Sequence, residues 1–177
     1  MIIDIEQLKF PVGKFMKPEV IIPEQIKMWV QEIKDLPSLL STELAGLTEE
    51  DYLRSYRPEG WNITQLVHHL ADSHMNSFIR FKLSLTEDNP VIKPYLEAKW
   101  AEMPDDRLTE AEHSLDILKG LHHRWGFVLD QMSESDFQKG YIHPEKNRLV
   151  RLDEATALYA WHCRHHLAHI RIAKNNS

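Results

Sequence analysis

The chain contains four stretches in which apolar residues recur three or four positions apart, which is the period of an amphipathic α-helix. The first begins at Pro23, a favoured residue in a first helical turn, and continues to Leu44. Pro37 lies inside this stretch and predicts a kink or a division, because proline has no amide hydrogen to offer a helix interior. The pattern therefore predicts a first long helix with an irregularity near its centre.

The second stretch follows Gly60 and has a recognisable start. Asn62 is a suitable N-cap, and Gln65 stands three residues later, as in a capping box. We expect this helix to end near Leu85. The connection that follows is rich in proline, and within it residues 94–103 are predicted to form a short helix.

The third and fourth stretches carry similar signals. Thr109 and Glu112 form a second candidate capping box, and the third helix is expected to end near Met132. The fourth is expected to start near Asp153 as N-cap and to end near Lys174, ahead of two asparagines.

The segment between the third and fourth helices, GYIHPEKNRLVRL, has a turn sequence flanked by short apolar pairs, and we interpret it as a small hairpin or an extended loop. Four long helices with little strand signal indicate an all-α four-helix bundle, formed by a single domain of residues 1–177. Helix patterns leave open whether the bundle is a simple up-and-down arrangement or contains a crossover. The long connection between the second and third helices permits a crossover.

Composition excludes several classes of protein. Hydrophobic residues make up 42% and charged residues 27%, as in soluble globular proteins. The net charge is −6 without a basic block, so we expect no nucleic-acid partner. No apolar run approaches the roughly 20 residues that cross a bilayer, and the N-terminus lacks the features of a signal peptide. Cys163 is the single cysteine, so no intramolecular disulfide can form, and we expect a cytoplasmic protein.

Histidine is the unusual residue, with 11 copies, most of them in VHHLADSH and HCRHHLAH. On the fourth helix, His162 and His166 fall in the middle of the apolar stripe, four residues apart, so their rings project from one face. A buried polar group without a partner costs about 1–3 kcal/mol, and two stacked imidazoles in a core need a reason. A divalent metal held by neutral imidazoles supplies one.

A third ligand is expected from another helix, as in other bundle metal sites. Spacing leaves two candidates on the second helix. His69 lies on the shoulder of its apolar stripe and His74 lies on the stripe itself, so periodicity slightly favours His74. His68 is expected to point toward solvent.

The remaining histidines are interpreted as packing or surface residues. We expect His113, His122 and His123 at solvated positions of the third helix, and His143 in a loop. Cys163 is interpreted as a small buried residue. Weak candidates for a general base or proton shuttle, for which a surface or packing role is the favoured interpretation, are Asp72, His74, His165 and His169.

Three segments resemble the YfiT family, a branch of the DinB-like superfamily of proteins described as metal-dependent hydrolases: YRPEGWNITQLVHHLADSHMN, RFKLSLTEDNPVIKPY and LYAWHCRHHLAHI. With FPVGKF near the N-terminus, the resemblance covers roughly residues 10–172. It implies a dimeric four-helix bundle and a metal held by His69, His162 and His166. It therefore chooses His69 over His74, against the periodicity. One departure is Cys163, where a small residue such as glycine is expected.

Three imidazole ligands leave an open coordination position, which is typical of catalytic metal sites. We expect one divalent ion per subunit, zinc or nickel, and a hydrolase acting on a small-molecule substrate. Relatives of the family transfer low-molecular-weight thiols such as bacillithiol to electrophiles, so a metal-dependent S-transferase is the alternative. A second alternative is a non-enzymatic stress or ligand-binding module that the metal stabilises. The sequence does not identify the substrate, the native metal or the base.

Overall fold

A computed structural model describes residues 5–176, so Ser177 and the first four residues, which the single-domain prediction includes, lie outside the described residues. The elements in chain order are α1 (Ile5–Lys9), α2 (Pro23–Leu44), α3 (Glu49–Tyr52), α4 (Ile63–Thr86), α5 (Glu97–Trp100), α6 (Pro104–Leu108), α7 (Ala111–Gln131), α8 (Glu134–Gln138), β1 (Gly140–His143), β2 (Arg148–Arg151) and α9 (Leu152–Asn175). The four long helices correspond to the four predicted stretches.

The long helices form a four-helix bundle, which confirms the predicted fold class. Helix α2 packs against α7 and α9, and α4 packs against the same two helices. Consecutive long helices α2 and α4 therefore occupy opposite corners, so the bundle contains a crossover and is not a simple up-and-down arrangement. This order makes α4 and α9 neighbours, and these two helices carry the two histidine clusters.

The core is built from the apolar stripes that the four helices turn toward one another. Its largest fully buried side chains are Trp125, Phe81, Ile33, Leu36, Leu40, Ile63, Leu66, Leu70, Leu118, Leu152, Ile170 and His74. A histidine among them shows that the interior also holds polar groups.

Helix α2 runs through Pro37 without a division, and the kink, which was the other predicted form, stays a prediction. Pro37 is buried in the bundle, and its packing holds the helix together despite the missing hydrogen bond. In a regular helix the carbonyl of Ile33 would accept from the amide of the residue four positions later, which is Pro37 and has no amide hydrogen. The Ile33 carbonyl is therefore free to accept from a side chain.

The predicted helix starts were correct in two cases and wrong in two. Helix α2 begins at Pro23, as predicted. Asn62 caps α4, and its side chain accepts the amide hydrogen of Gln65 at 2.9 Å. The Thr109 capping box does not form, because Thr109 ends the short helix α6 and its hydroxyl donates to the carbonyl of Asp105 at 2.6 Å. Asp153 is not the N-cap of α9, because β2 leads directly into the helix at Leu152.

The segment before α9 is a hairpin, which is one of the two forms that the sequence predicted. Strands β1 and β2 pair antiparallel, with Gly140 opposite Arg151 and His143 opposite Arg148. His143 thus ends a strand and does not lie in a loop. Gly140 is required here, since a Cβ atom would lie 2.3 Å from the carbonyl oxygen of Val150.

The predicted short helix at 94–103 is smaller than expected, spanning only α5. The short helices α1, α3, α6 and α8 were not predicted, since each has fewer than six residues and too few positions to establish a period. Within residues 5–176, none of the helices combines the length and the apolar character needed to cross a bilayer.

Candidate metal centre

Three histidines from the neighbouring helices α4 and α9 meet between them. His69 projects from α4, and His162 and His166 project from α9 one turn apart. One ring nitrogen of each lies within 4.8 Å of the corresponding nitrogens of the other two. The Nε2 atoms of His69 and His162 are 3.2 Å apart. Two features produce this arrangement. His162 and His166 are four residues apart on α9, and α4 packs beside α9.

Burial keeps these imidazoles neutral. It lowers the pKa of His69 to about 4. It also lowers the pKa values of His162 and His166 well below the usual range, and neighbouring imidazoles add to the effect. A neutral imidazole presents one nitrogen lone pair. Converging neutral imidazoles are a donor set that suits a late first-row divalent ion, so the residues present fit a metal.

A continuous row of imidazoles lies behind His162, on the interior side of the cluster. Nδ1 of His162 is 3.0 Å from Nε2 of His74, and Nδ1 of His74 is 2.8 Å from Nε2 of His122. Nδ1 of His122 is 2.6 Å from the carbonyl oxygen of Ile33. The row takes one member from each long helix: α9, α4, α7 and α2.

An open pocket of about 360 Å³ lies on the other side of the cluster. Aromatic and histidine side chains form most of its wall, and its lining residues include Phe10, Tyr56, Trp61, Trp161, His165 and His169. The segment after α1 closes one edge, where the indole of Trp161 donates to the carbonyl of Gly13 at 3.0 Å. All three clustered histidines border this pocket, so a bound ion would face it.

His166 also has an imidazole behind it. Nδ1 of His169 is 3.4 Å from Nδ1 of His166, and Nε2 of His169 is 3.2 Å from the carbonyl oxygen of Lys9. The ring of His169 stacks on Tyr56, with centroids 3.8 Å apart. His165, His166 and His169 form a second group whose nitrogens lie close enough to hold an ion.

A second, smaller pocket of about 220 Å³ reaches His162 from another direction. Its wall includes Arg80, Tyr95 and His143. Glu97, at the start of α5, borders both pockets. Two separate spaces therefore meet at His162.

The sequence model of the DinB superfamily matches residues 32–170. The chain belongs to the DinB superfamily. It is 42% identical to YfiT of Bacillus subtilis over 163 residues, which cover 92% of each chain. It is 47% identical over 166 residues to a protein of Bacillus cereus strain 03BB102, covering 94% of this chain and 95% of that one. The names of both relatives propose metal-dependent hydrolase activity.

Solved structures give the same result for the fold. The structure of YfiT from Bacillus subtilis, described as a probable metal-dependent hydrolase with an unusual four-helix bundle topology, matches with a TM-score of 0.90 and 41% identity. It covers 93% of this chain and 94% of that one. A mycothiol-dependent maleylpyruvate isomerase matches with a TM-score of 0.64 at 16% identity over 82% of this chain and 60% of that one, which shows a shared fold alone. The resemblance to the YfiT family is thus confirmed.

In this DinB-superfamily bundle, His74 does not join His69 at the cluster. Its ring is fully buried and both of its nitrogens face other histidines. Periodicity alone favoured His74 because it lies on the stripe, whereas in the structure it is His69, on the shoulder, that faces His162 and His166 of α9. The structure thus brings together the three residues of the ligand set that the resemblance implies, and their binding of a metal stays a prediction.

Two expectations about solvated histidines were wrong. His68 is buried, with Nδ1 2.7 Å from the Ser114 hydroxyl, because α6 and α7 both cover that face of α4. His122 is only 2% exposed, because α7 turns this residue inward toward α2 and α4. His113 and His123 are exposed, as expected.

The four weak base candidates separate by position. His165 and His169 line the larger pocket, and Asp72 and His74 line neither of the two pockets described above. Burial and the neighbouring carboxylates of Asp106 and Asp105 raise the pKa of Asp72 to about 6. His165 stacks on Trp161 with centroids 4.4 Å apart, and its buried Nδ1 has no hydrogen-bond partner among residues 5–176.

Cys163 is buried in the core, as expected, and burial raises the pKa of its thiol. The sequence reading did not assign a site role to the pocket aromatics Phe10, Trp61 and Trp161. No pattern in the sequence places Phe10 here, since it lies outside the long helices. The His-His pair at 122–123 was an available signal for His122, because the same doublet occurs in α4 at the cluster.

Proposed function

We propose that this chain is a metal-dependent hydrolase in which His69, His162 and His166 hold one divalent ion at the base of the larger pocket. The observation that carries the proposal is the meeting of three imidazole nitrogens, from two buried histidines and the half-buried His162, within 4.8 Å of one another and beside one pocket. The names of the relatives that match most of the chain agree with it.

A divalent ion held by these three histidines would supply Lewis acidity for the activation of water and the polarisation of an ester or amide group. All-imidazole ligation suits zinc and nickel, and we propose one such ion per subunit. The protein itself orients the ligands, and α4 and α9 set their separation. The pocket aromatics favour a substrate with an apolar part.

The pocket also limits which residues can contact a substrate. His165 and His169 border the space where a substrate would lie, whereas Asp72 and His74 do not. We therefore infer that, of the four base candidates, His165 and His169 are the two that could exchange a proton with a bound molecule.

A second candidate function is metal-dependent transfer of a low-molecular-weight thiol to an electrophile. The observation that favours it is the meeting of two pockets at His162, since a transferase must hold two molecules beside one metal. Arg80 in the smaller pocket could pair with a carboxylate of such a thiol. Hydrolysis requires only one of these pockets to hold an organic substrate.

The metal is tested first. Protein purified without an affinity tag and reconstituted with zinc or nickel is expected to retain one ion per chain after gel filtration, measured by elemental analysis. Retention below about a tenth of an equivalent contradicts the proposal, since three neutral imidazoles in a formed site bind such ions tightly.

The reaction class is tested with the metal-loaded protein. A panel of chromogenic esters, amides and electrophiles is incubated with and without a low-molecular-weight thiol. Turnover without thiol supports hydrolysis, and strict thiol dependence supports transfer. A loaded protein that turns over nothing in the panel contradicts both and favours a non-enzymatic binding module. Size-exclusion chromatography with light scattering checks the expected homodimer in the same preparation.

A further inference from the structure

The row of imidazoles behind His162 has a fixed end. The carbonyl oxygen of Ile33 can only accept a hydrogen bond, and it lacks its usual helical donor because the residue four positions later is Pro37. At 2.6 Å from this oxygen, Nδ1 of His122 must carry a proton, since a bare nitrogen would place two lone pairs in contact. The backbone thus decides which nitrogen of His122 is protonated.

The protonation of His122 then determines the tautomer of each following ring. A neutral imidazole has one donor and one acceptor, so His122 with a proton on Nδ1 offers a bare Nε2. This nitrogen faces Nδ1 of His74 at 2.8 Å, and Nδ1 of His74 must therefore be the donor. By the same argument, the bare Nε2 of His74 accepts from Nδ1 of His162 at 3.0 Å.

The last step determines the state of the cluster. With its proton on Nδ1, His162 presents a bare Nε2, which is the atom that lies 3.2 Å from Nε2 of His69. The opposite direction along the row would put a proton on Nε2 of His162, where a metal must bind, and would leave a bare Nδ1 of His122 against the Ile33 oxygen.

We propose that the Ile33 carbonyl, freed by Pro37 and acting through His122 and His74, fixes His162 in the tautomer whose Nε2 is open to a metal ion. His122 and His74 are positioning residues, and neither is a ligand. This inference rests on the proposed metal centre for its functional meaning, but the tautomers themselves exist with or without an ion.

The packing around the row prevents the rings from turning. His74 is fully buried, and its ring meets the edges of Trp125 and Tyr159, with centroid distances of 5.8 and 5.2 Å. Trp125 also contacts the ring of His122 at 5.8 Å. A ring flip of His74 or His122 would need these aromatics to move. The direction of the hydrogen bonds is therefore held by ring packing as well as by the Ile33 carbonyl.

The tautomers are read directly by nitrogen NMR of the metal-free protein labelled with ¹⁵N at histidine. Long-range proton–nitrogen spectra distinguish a protonated from a bare ring nitrogen. His122, His74 and His162 are each expected to be protonated on Nδ1 and bare on Nε2. A metal-free wild-type protein in which His162 carries its proton on Nε2 overturns the proposal, whatever the metal affinity.

A matched pair of variants tests the consequence for metal binding. His122→Leu removes both the donor to Ile33 and the acceptor for His74, so the row loses its direction. Metal affinity, measured by competition with a chromogenic chelator, is expected to fall about 10- to 100-fold, as for other partners of metal ligands. His122→Gln retains one donor and one acceptor at this position and is expected to recover most of the affinity. His123→Leu on the same helix is exposed and should leave the affinity unchanged.

The outcomes separate this inference from the proposed function. A wild-type protein that shows the expected tautomers and binds no metal contradicts the metal centre alone. If the wild-type protein binds metal and a folded His122→Leu variant binds it with equal affinity, the result contradicts only the proposed effect of the imidazole row on His162. Circular dichroism and the thermal midpoint show that each variant is folded, and the NMR result remains decisive if His122→Leu does not fold.

Discussion

The two sides of the histidine cluster differ in how closely neighbouring groups contact its histidines. On the interior side, His162 is backed by two imidazoles and a carbonyl at 2.6–3.0 Å, enclosed by all four long helices. On the pocket side, His166 is backed by His169 at 3.4 Å, and His169 reaches the carbonyl of Lys9 at 3.2 Å. The first set of contacts is no longer than a normal hydrogen bond, whereas the second begins at 3.4 Å, beyond the normal range.

The two sides are built from different parts of the chain. The interior side lies among buried residues of the four long helices, where a continuous row of short hydrogen bonds is formed. The pocket side is completed by the short N-terminal segment, which contributes Lys9, Phe10 and Gly13. The proposed function would require one side of the site to admit a substrate, and the contacts that support His166 on this side are the longer ones.

The largest expected effect comes from removing a ligand. His162→Ala is expected to abolish tight metal binding, because two imidazoles do not retain a divalent ion against a chelator. His165→Ala, which belongs to the second histidine group but not to the first, is expected to retain the metal. Competition with a chelator measures both. Loss of binding in His165→Ala with retention in His162→Ala would show that the pocket-side group holds the ion.

The next largest effect is expected on stability, and it differs between the two tryptophans that flank the cluster. Trp125→Ala is expected to lower the free energy of unfolding by about 3–5 kcal/mol, because Trp125 is fully buried on the interior side. Trp161→Ala on the pocket side is half-buried and is expected to lower it by about 1–2 kcal/mol. Urea titration followed by circular dichroism measures both. Equal losses would mean that the pocket side is as firmly built as the interior.

A third variant tests a histidine that belongs to neither side. His68→Ala leaves the buried Ser114 hydroxyl without its partner and is expected to lower the free energy of unfolding by about 1–3 kcal/mol. Metal affinity should stay at the wild-type value, because His68 points away from the cluster toward α7. A large loss of metal in a variant that is still folded would show that the faces of α4 are assigned wrongly.

The fold was largely predictable because the bundle helices are long. Each has more than 20 residues, so the apolar period repeats several times and defines both the helix and its buried face. The order of the helices around the bundle was not predictable, since it depends on which stripes fit together and not on the period of any one. The start of α9 was missed because β2 runs into it without a capping residue.

The site was predictable in its α9 half and not in its surroundings. His162 and His166 stand on a single stripe, so spacing alone brings them together. The choice of His69 over His74 depends on where α4 approaches α9, which a helical wheel does not contain. The inward position of His122 was not predictable for a similar reason. Its neighbour His123 is exposed, and only packing shows which of the two faces inward.

The smallest expected effect tests the weaker of the two sides. His169→Phe keeps an aromatic ring to stack on Tyr56 but removes the nitrogens that face His166 and Lys9. Metal affinity is expected to fall by no more than about tenfold, the lower end of the range for partners of metal ligands, because the 3.4 Å contact is too long to orient His166 strongly. Chelator competition on His169→Phe beside His122→Leu makes the comparison directly. A greater loss in His169→Phe would reverse the order of the two sides and make the N-terminal segment the principal support of the metal ligands.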